Sequence, residues 1–488
     1  MPANKRFLFF VAATIVLVTI AGCGGGSSIS FPPPQGGFTN ASLSGPFAFS
    51  YTGSDSQGFL AVAGSFQADG NGHITSGIED INSGFGITTN AVIAGTSTYT
   101  VRADGRGSAN LNSTAGNSTI EFVILAGGHA LVTRFDSNAT GSGTIDQQAP
   151  AAFSNTALAG TFAFSLAGID TFGNPLAVAG NLTADAAGNI TSGVDDSNDN
   201  GGVVTNDPLT GTIPVAATGR GVATLNTIRG TLTFAYYVVD ATHLKLVETD
   251  TTLILGGDAF RQTGPFSNAS VTGPFAFTVA GADLLSLVPF AAGGVLTSNG
   301  AGNITSGVED FNNSITVSTN VGLTGSYSMA ASGRGTLTLN TTAGTFTFVI
   351  YPSSGGILVL ETDIRFVTSG TAFQQQATAF SNASLSGTYG MNFTGATSSG
   401  AEIDSVAQFT ADGVSRLTGI IDLNNTGSIT FGQPLSATFN VATNGRTTMP
   451  LQTPLGTQNL AVYVVDGTRA LFIELDPALV AAGEMRHQ

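Results

Sequence analysis

The chain has no tryptophan, one cysteine, four histidines and only 9% charged residues, and each shortage narrows what it can do. A lone cysteine excludes a disulfide framework within the chain. Four histidines leave little material for zinc, which takes three or four His, Cys or carboxylate ligands. With Lys and Arg at 15 against 31 Asp and Glu, and no basic stripe after Arg6, a phosphate backbone finds no cation cluster; nucleic acid is not an expected partner. Few stretches combine Leu, Glu, Lys and Ala at helical spacing, so helices are not expected. Glycine pairs abound but sit in turns, so neither a P-loop nor a dinucleotide fingerprint appears.

What is present begins at the N-terminus. Lys5 and Arg6 precede an apolar run from Phe7 to Ile20, too short for a permanent span but suited to a cleavable signal. The run ends in Ile20-Ala21-Gly22-Cys23, which resembles the lipobox of bacterial lipoproteins, with Ile20 in place of the commoner Leu. That resemblance implies cleavage before Cys23 and lipidation of its thiol. Gly24, where an Asp would favour inner-membrane retention, implies an outer-membrane address. Residues 24–37 are rich in Gly, Ser and Pro and read as a tether.

A unit then recurs. Phe38-Thr39-Asn40, Phe153-Ser154-Asn155, Phe266-Ser267-Asn268 and Phe380-Ser381-Asn382 stand 115, 113 and 114 residues apart. The expected organisation is signal 1–22, lipidated cysteine and tether 23–37, and four domains at 38–152, 153–265, 266–379 and 380–488. Within a copy, apolar residues alternate, as in Phe47, Phe49 and Tyr51, or Leu60, Val62 and Phe66. That is the period of a strand with one buried face. Asp-Gly and Gly-rich pairs such as Asp104-Gly105 punctuate the alternation with hairpin turns.

About eight strands fall in each copy, placed in the first near 45–53, 59–68, 73–82, 92–103, 107–113, 118–126, 129–136 and 141–148. The expected fold is all-β: four tandem antiparallel domains, each an eight-stranded up-and-down barrel, with a β-sandwich as the rival. The Gly-x-Phe near each first strand resembles the Gly-x-Trp opening of lipocalin-type barrels. Over residues 38–488 the chain resembles tandem-repeat bacterial lipoproteins without an established activity, through A-D-G-x-G-x-I-T-x-G (residues 68–77) and D-G-R-G (residues 104–107).

Three polar features recur in every copy. The first is an Asp/Asn pair two residues apart: Asp80/Asn82, Asp196/Asn198, Asp310/Asn312 and Asp422/Asn424. The second is an arginine in a Gly-Arg turn: Arg106, Arg220, Arg334 and Arg446. The third is an acid ending the seventh strand: Asp136, Asp250, Asp363 and Asp476, preceded two residues earlier by Arg134, Glu248, Glu361 and Glu474. Residues two apart share a strand face, so the groups of one copy are expected at one end of its barrel. One reading is an Arg–carboxylate cluster closing that end; another is a cation site such as Ca²⁺. The stoichiometry of arginine to acid favours the structural cluster, so no metal or cofactor is expected. Asp69-Gly-Asn-Gly-His73 reads as a turn, since its third-copy counterpart lacks an acid. His129 and His243 read as surface turn residues.

No catalytic constellation emerges. The leading expectation is a non-enzymatic, lipid-anchored surface repeat protein serving as spacer, adhesion or interaction module, with an unidentified surface polymer or protein as partner. A carrier of small apolar molecules inside the barrels is the alternative, and an exported hydrolase a third.

Overall fold

A computed structural model describes residues 37–377 and 379–488. The signal, Cys23 and the tether up to residue 36 lie outside the described residues. In the first copy the strand positions are Ser44–Asp55, Gly58–Asp69, His73–Ser83, a fourth made of Gly86–Ile93 and Ser97–Val101, then Arg106–Ser113, Gly116–Leu125, His129–Phe135 and Ala139–Gln147. The first strand pairs antiparallel with both the second and the eighth in every copy, so each sheet closes on itself. Closure in sequence order is the up-and-down barrel, and it sets the sandwich aside.

Alternation fills each interior. Phe47, Phe49, Tyr51, Leu60, Val62, Phe66, Tyr99, Leu111 and Phe122 are all buried in one core. Each of the four barrels has such a core of its own. Burying each of these large side chains is worth about 1.5–3 kcal/mol.

The expected fourth strand, 92–103, begins earlier and is interrupted. A bulge in the fourth strand is one cause of its irregular pairing: Glu79 pairs with Ala91 and Ile81 with Thr88, so Thr89 and Asn90 stand opposite Asp80 alone. In the bulge, Asn90 sits at φ 54° and donates its N–H to Asp80. Asn206, Asn320 and Gly432 repeat this with Asp196, Asp310 and Asp422.

Each barrel has two unlike ends. The turns joining strands one to two, three to four, five to six and seven to eight form what we term the rim. The remaining turns and the linkers between copies form the base. The Phe-Ser/Thr-Asn landmark plugs that base. Asn40, Asn155, Asn268 and Asn382 accept backbone N–H groups of Val101, Val215, Met329 and Val441. Beside them, Phe38, Phe153, Phe266 and Phe380 cover Gly105, Gly219, Gly333 and Gly445. Those glycines sit at φ 82–86°, and a Cβ at Gly219 would come within 2.5 Å of the Phe153 ring. Two separated motifs are therefore one packing unit.

Candidate functional site

The third strand of each barrel turns Asp80, Asp196, Asp310 and Asp422 outward, and all four are fully buried. Burial without exposure on an outer face means a neighbour covers them. Arg220 of the second copy grips Asp80 of the first through two bonds of 2.7 Å. Arg334 grips Asp196 at 2.6 and 2.8 Å, and Arg446 grips Asp310 at 2.5 and 2.8 Å. Arg106 of the first copy holds Asp422 of the fourth at 3.0 and 3.2 Å. Each copy is thus tied to the next and the fourth to the first. The barrels form a closed ring.

The sequence-level expectation placed Arg and Asp of one copy together at one barrel end; the structure pairs them across copies instead. The reason is strand parity. Arg106 faces out beside inward Gly107, and Asp80 faces out beside inward Glu79, so neither points into its own barrel. The bidentate fork suits a desolvated carboxylate. A tyrosine hydroxyl adds a third bond at three seams: Tyr237 to Asp80, Tyr351 to Asp196 and Tyr463 to Asp310, the last at 2.7 Å. The first copy has Val123 at this place, and Arg106 divides itself between Asp422 and Asp104.

The amide two residues on works at the same seams. Asn82 donates to carbonyls of Glu248 and Leu253, and Asn198 to those of Asp363 and Phe366. Asn312 donates to Asp476 and Leu479, and Asn424 to Asp136 and Ala139. The acids Asp136, Asp250, Asp363 and Asp476 meanwhile brace their own rim turns by accepting from Thr119, Thr233, Thr347 and Asn459 backbone N–H groups. At the base, a glutamine closing each copy reaches into the next: Gln148 to Val238, Gln262 to Gly333, Gln375 to Val464, Gln488 to Asp104. Rim contacts meet rim and base contacts meet base, so all four barrels point the same way and all rim loops share one face.

Apolar patches complete the seams. Ala48, Ala61 and Ala63 pack on Tyr237, Val239 and Val247 between copies one and two. Similar clusters join two to three and three to four. The fourth-to-first patch is smaller, formed by Val123, Leu125, Leu131 and Val406. Its deficit is met by polar groups: Asp404 accepts from Thr140 at 2.7 Å and Ser142 at 2.8 Å.

The sequence reading missed a second set of acids. Glu79, Asp195 and Glu309 precede the outward Asp and therefore point into the barrel, where they are buried. The signal was there: in two adjacent strand acids, one must face in. Burial pushes Asp195 and Glu309 each up to about 7 and Glu361 to about 8. Burial and neighbouring Asp250 push Glu248 to about 10, and burial with Asp476 pushes Glu474 to about 9.

Residues of all four copies line an axial cavity of about 680 Å³. His129 and His243, expected on the surface, stand in its wall bonded to Asp146 and to Asp258, the latter at 2.7 Å. Between them Lys245 is fully buried, 2.7 Å from Asp146. Burial alone would raise Asp146, but the ammonium holds it well below the usual carboxylate range. Arg469, Glu484 and Arg486 face them from the fourth copy. Asp69 accepts from the N–H groups of Asn71 and His73, as a turn requires. Among the described residues no three His, Cys, Asp or Glu are grouped to hold a metal ion.

No protein-family model matches the chain, and no curated protein does. Among solved structures, a mutant of the vaccine antigen transferrin binding protein B (TbpB) from Haemophilus parasuis aligns at 10% identity. It covers 76% of this chain and 85% of that one, with a TM-score of 0.20. Intact Ap-TbpB, with N and C lobes, aligns at 8% identity over 96% of this chain and 98% of that one, with a TM-score of 0.19. At these values the likeness assigns neither a fold nor a function.

Proposed function

We propose that the chain is an extracytoplasmic lipoprotein, held at the outer membrane through Cys23, that catalyses no reaction and displays a rigid ring of barrels as a surface interaction or adhesion module. The observation that carries this reading is the common orientation of the barrels, which gathers every rim loop on one face. That face bears Phe172 at 87% exposure, Leu287 at 84%, Ile364 at 78% and Phe85 at 72%. Large apolar side chains concentrated on one face mark interaction surfaces.

The test compares the mature protein with a variant carrying Phe85→Ser, Phe172→Ser, Leu287→Ser and Ile364→Ser for adhesion to a panel of cell-wall, matrix and host-type polymers and proteins. Binding by the parent and its loss in the variant support the reading. Absence of binding across the panel, or binding indifferent to the four changes, overturns it. A second reading, carriage of a small molecule, is favoured by the third barrel, which is hollow, whereas the corresponding space in the second is about 10 Å³.

A further inference from the structure

The hollow of the third barrel has a local cause. Val279 stands where the other copies place Tyr51, Leu166 and Phe393, and Ala292 where two of them place Val62 and Val178. The space left is about 160 Å³ and is walled by Phe277, Phe290, Phe311, Phe346, Phe348 and Phe366. It reaches the rim between exposed Thr316, Ala343 and Arg365.

Two carboxyls share this apolar wall. Glu309 is 5% exposed and Glu361 1%, and Glu361 accepts one bond from Thr368 at 2.6 Å. Among the described residues neither has a basic side chain within ion-pair distance. Arg365, at the cavity's mouth, acts on Glu361 through its charge but is itself paired with Asp283 at 2.8 Å and lies over the Phe366 ring.

The sister barrels show what such an acid ordinarily receives. In the first, Arg134 occupies the place of Glu361 and its charge acts on Glu79. In the second, Arg229 reaches in to Asp199 at 2.7 Å and its charge acts on Asp195. In the fourth the inward acid is replaced by Ile421. The third barrel keeps the acid but has Glu361 in place of Arg134 and Ala343 in place of Arg229. It therefore holds two buried acids, as the second barrel does with Asp195 and Glu248, but has neither of those arginines and has an open space beside the acids.

We propose that the third barrel binds a small organic ammonium ion, its head at Glu309 and Glu361 and its apolar body against the phenylalanine wall. Carboxylates supply the counter-charge, and phenyl faces attract a cation through their quadrupole. A cavity near 150 Å³ takes a single aromatic ring, so the fitting class is a one-ring or short-alkyl primary amine. This rests on the carriage reading and adds to it the sign of the charge; it does not depend on the rim's adhesive role.

Calorimetric titration of the mature protein with phenethylammonium, phenethyl alcohol and phenylacetate tests it. The expected order is ammonium tightest, by at least about tenfold over the alcohol, with the preference growing from pH 5 to pH 8 as the carboxyls ionise. Glu309→Gln is expected to remove the preference and leave alcohol binding intact. Ala343→Arg, which restores the second barrel's guanidinium, is expected to abolish ammonium binding even if Glu309→Gln does not fold. Equal or tighter binding of the alcohol or the anion, or a preference that survives Ala343→Arg, overturns the ammonium proposal while keeping carriage. No binding of any of the three overturns both.

Discussion

Arg106 and Asp422 are 316 residues apart in the chain, yet Nη1 of one lies 3.0 Å from Oδ2 of the other. Their contact turns a string of four barrels into a ring. It repeats, between the last copy and the first, the bond that joins each copy to its successor.

The seams predict a large cost for breaking one pair. Asp310→Ala strands Arg446 and Tyr463 in a buried seam, and removal of one partner of such a pair costs about 3–5 kcal/mol. Arg446→Ala is expected to cost a similar amount, and the double variant clearly less than the sum. Denaturant unfolding of all four proteins gives the coupling. Additive losses would show that the pair does not act as a unit.

The buried acids predict that stability falls from mildly acidic to alkaline pH. An acid whose folded pKa lies above its unfolded value stabilises the fold while protonated. That contribution is complete below about pH 4 and is lost as pH rises through the folded pKa. Asp195 and Glu309 near 7 and Glu361 near 8 place the loss between about pH 4 and 8. Asp69, Asp185 and Asp412, held low by turn N–H groups and, in Asp185, first by the Asn189 side chain, lose their contributions only in strong acid. Thermal melts are expected to peak near pH 4. Asp195→Asn is expected to raise the melting temperature at pH 8 and leave it nearly unchanged at pH 4.

The base plug predicts a steep penalty at one glycine. Gly219→Ala places a side chain in the left-handed region and drives its Cβ toward the Phe153 ring, at a cost of at least about 2 kcal/mol. Combined with Phe153→Ala, the glycine change is expected to cost less than it does alone. Melting curves of the three variants decide it; equal increments would detach the plug from the turn.

The barrels were legible because inward positions such as Phe47, Phe49 and Tyr51 alternate without a break and their turns announce themselves. Asp80 and Asn82 were legible as a pair on one face for the same reason. Their partners were not. When every copy carries the same Asp and the same Arg, spacing cannot distinguish a bond within a copy from a bond to the next one. Parity against Gly107 and Glu79 resolves which way the groups face, and it needs the strand register. The glutamines at 148, 262, 375 and 488 escaped notice because one amide among many polar residues carries no pattern. The hollow third barrel depends on side-chain volume at Val279 and Ala292, which a pattern of apolar against polar does not record.

Exposed apolar tips predict a separation of stability from binding. Phe172 stands on a rim turn at 87% exposure, so with Phe172→Ser the unfolding free energy is expected to change by no more than about 0.5 kcal/mol. A matching loss of stability would place Phe172 in a packed contact instead of on an open face.

Ring closure itself is read most directly by small-angle X-ray scattering on residues 37–488. A closed ring predicts a radius of gyration near the ~22 Å of a compact chain of this length. It also predicts that Arg106→Ala with Asp422→Ala expands the particle. Four domains of ~13 Å strung end to end would give roughly 30 Å or more, and that value for the unaltered protein would contradict the ring.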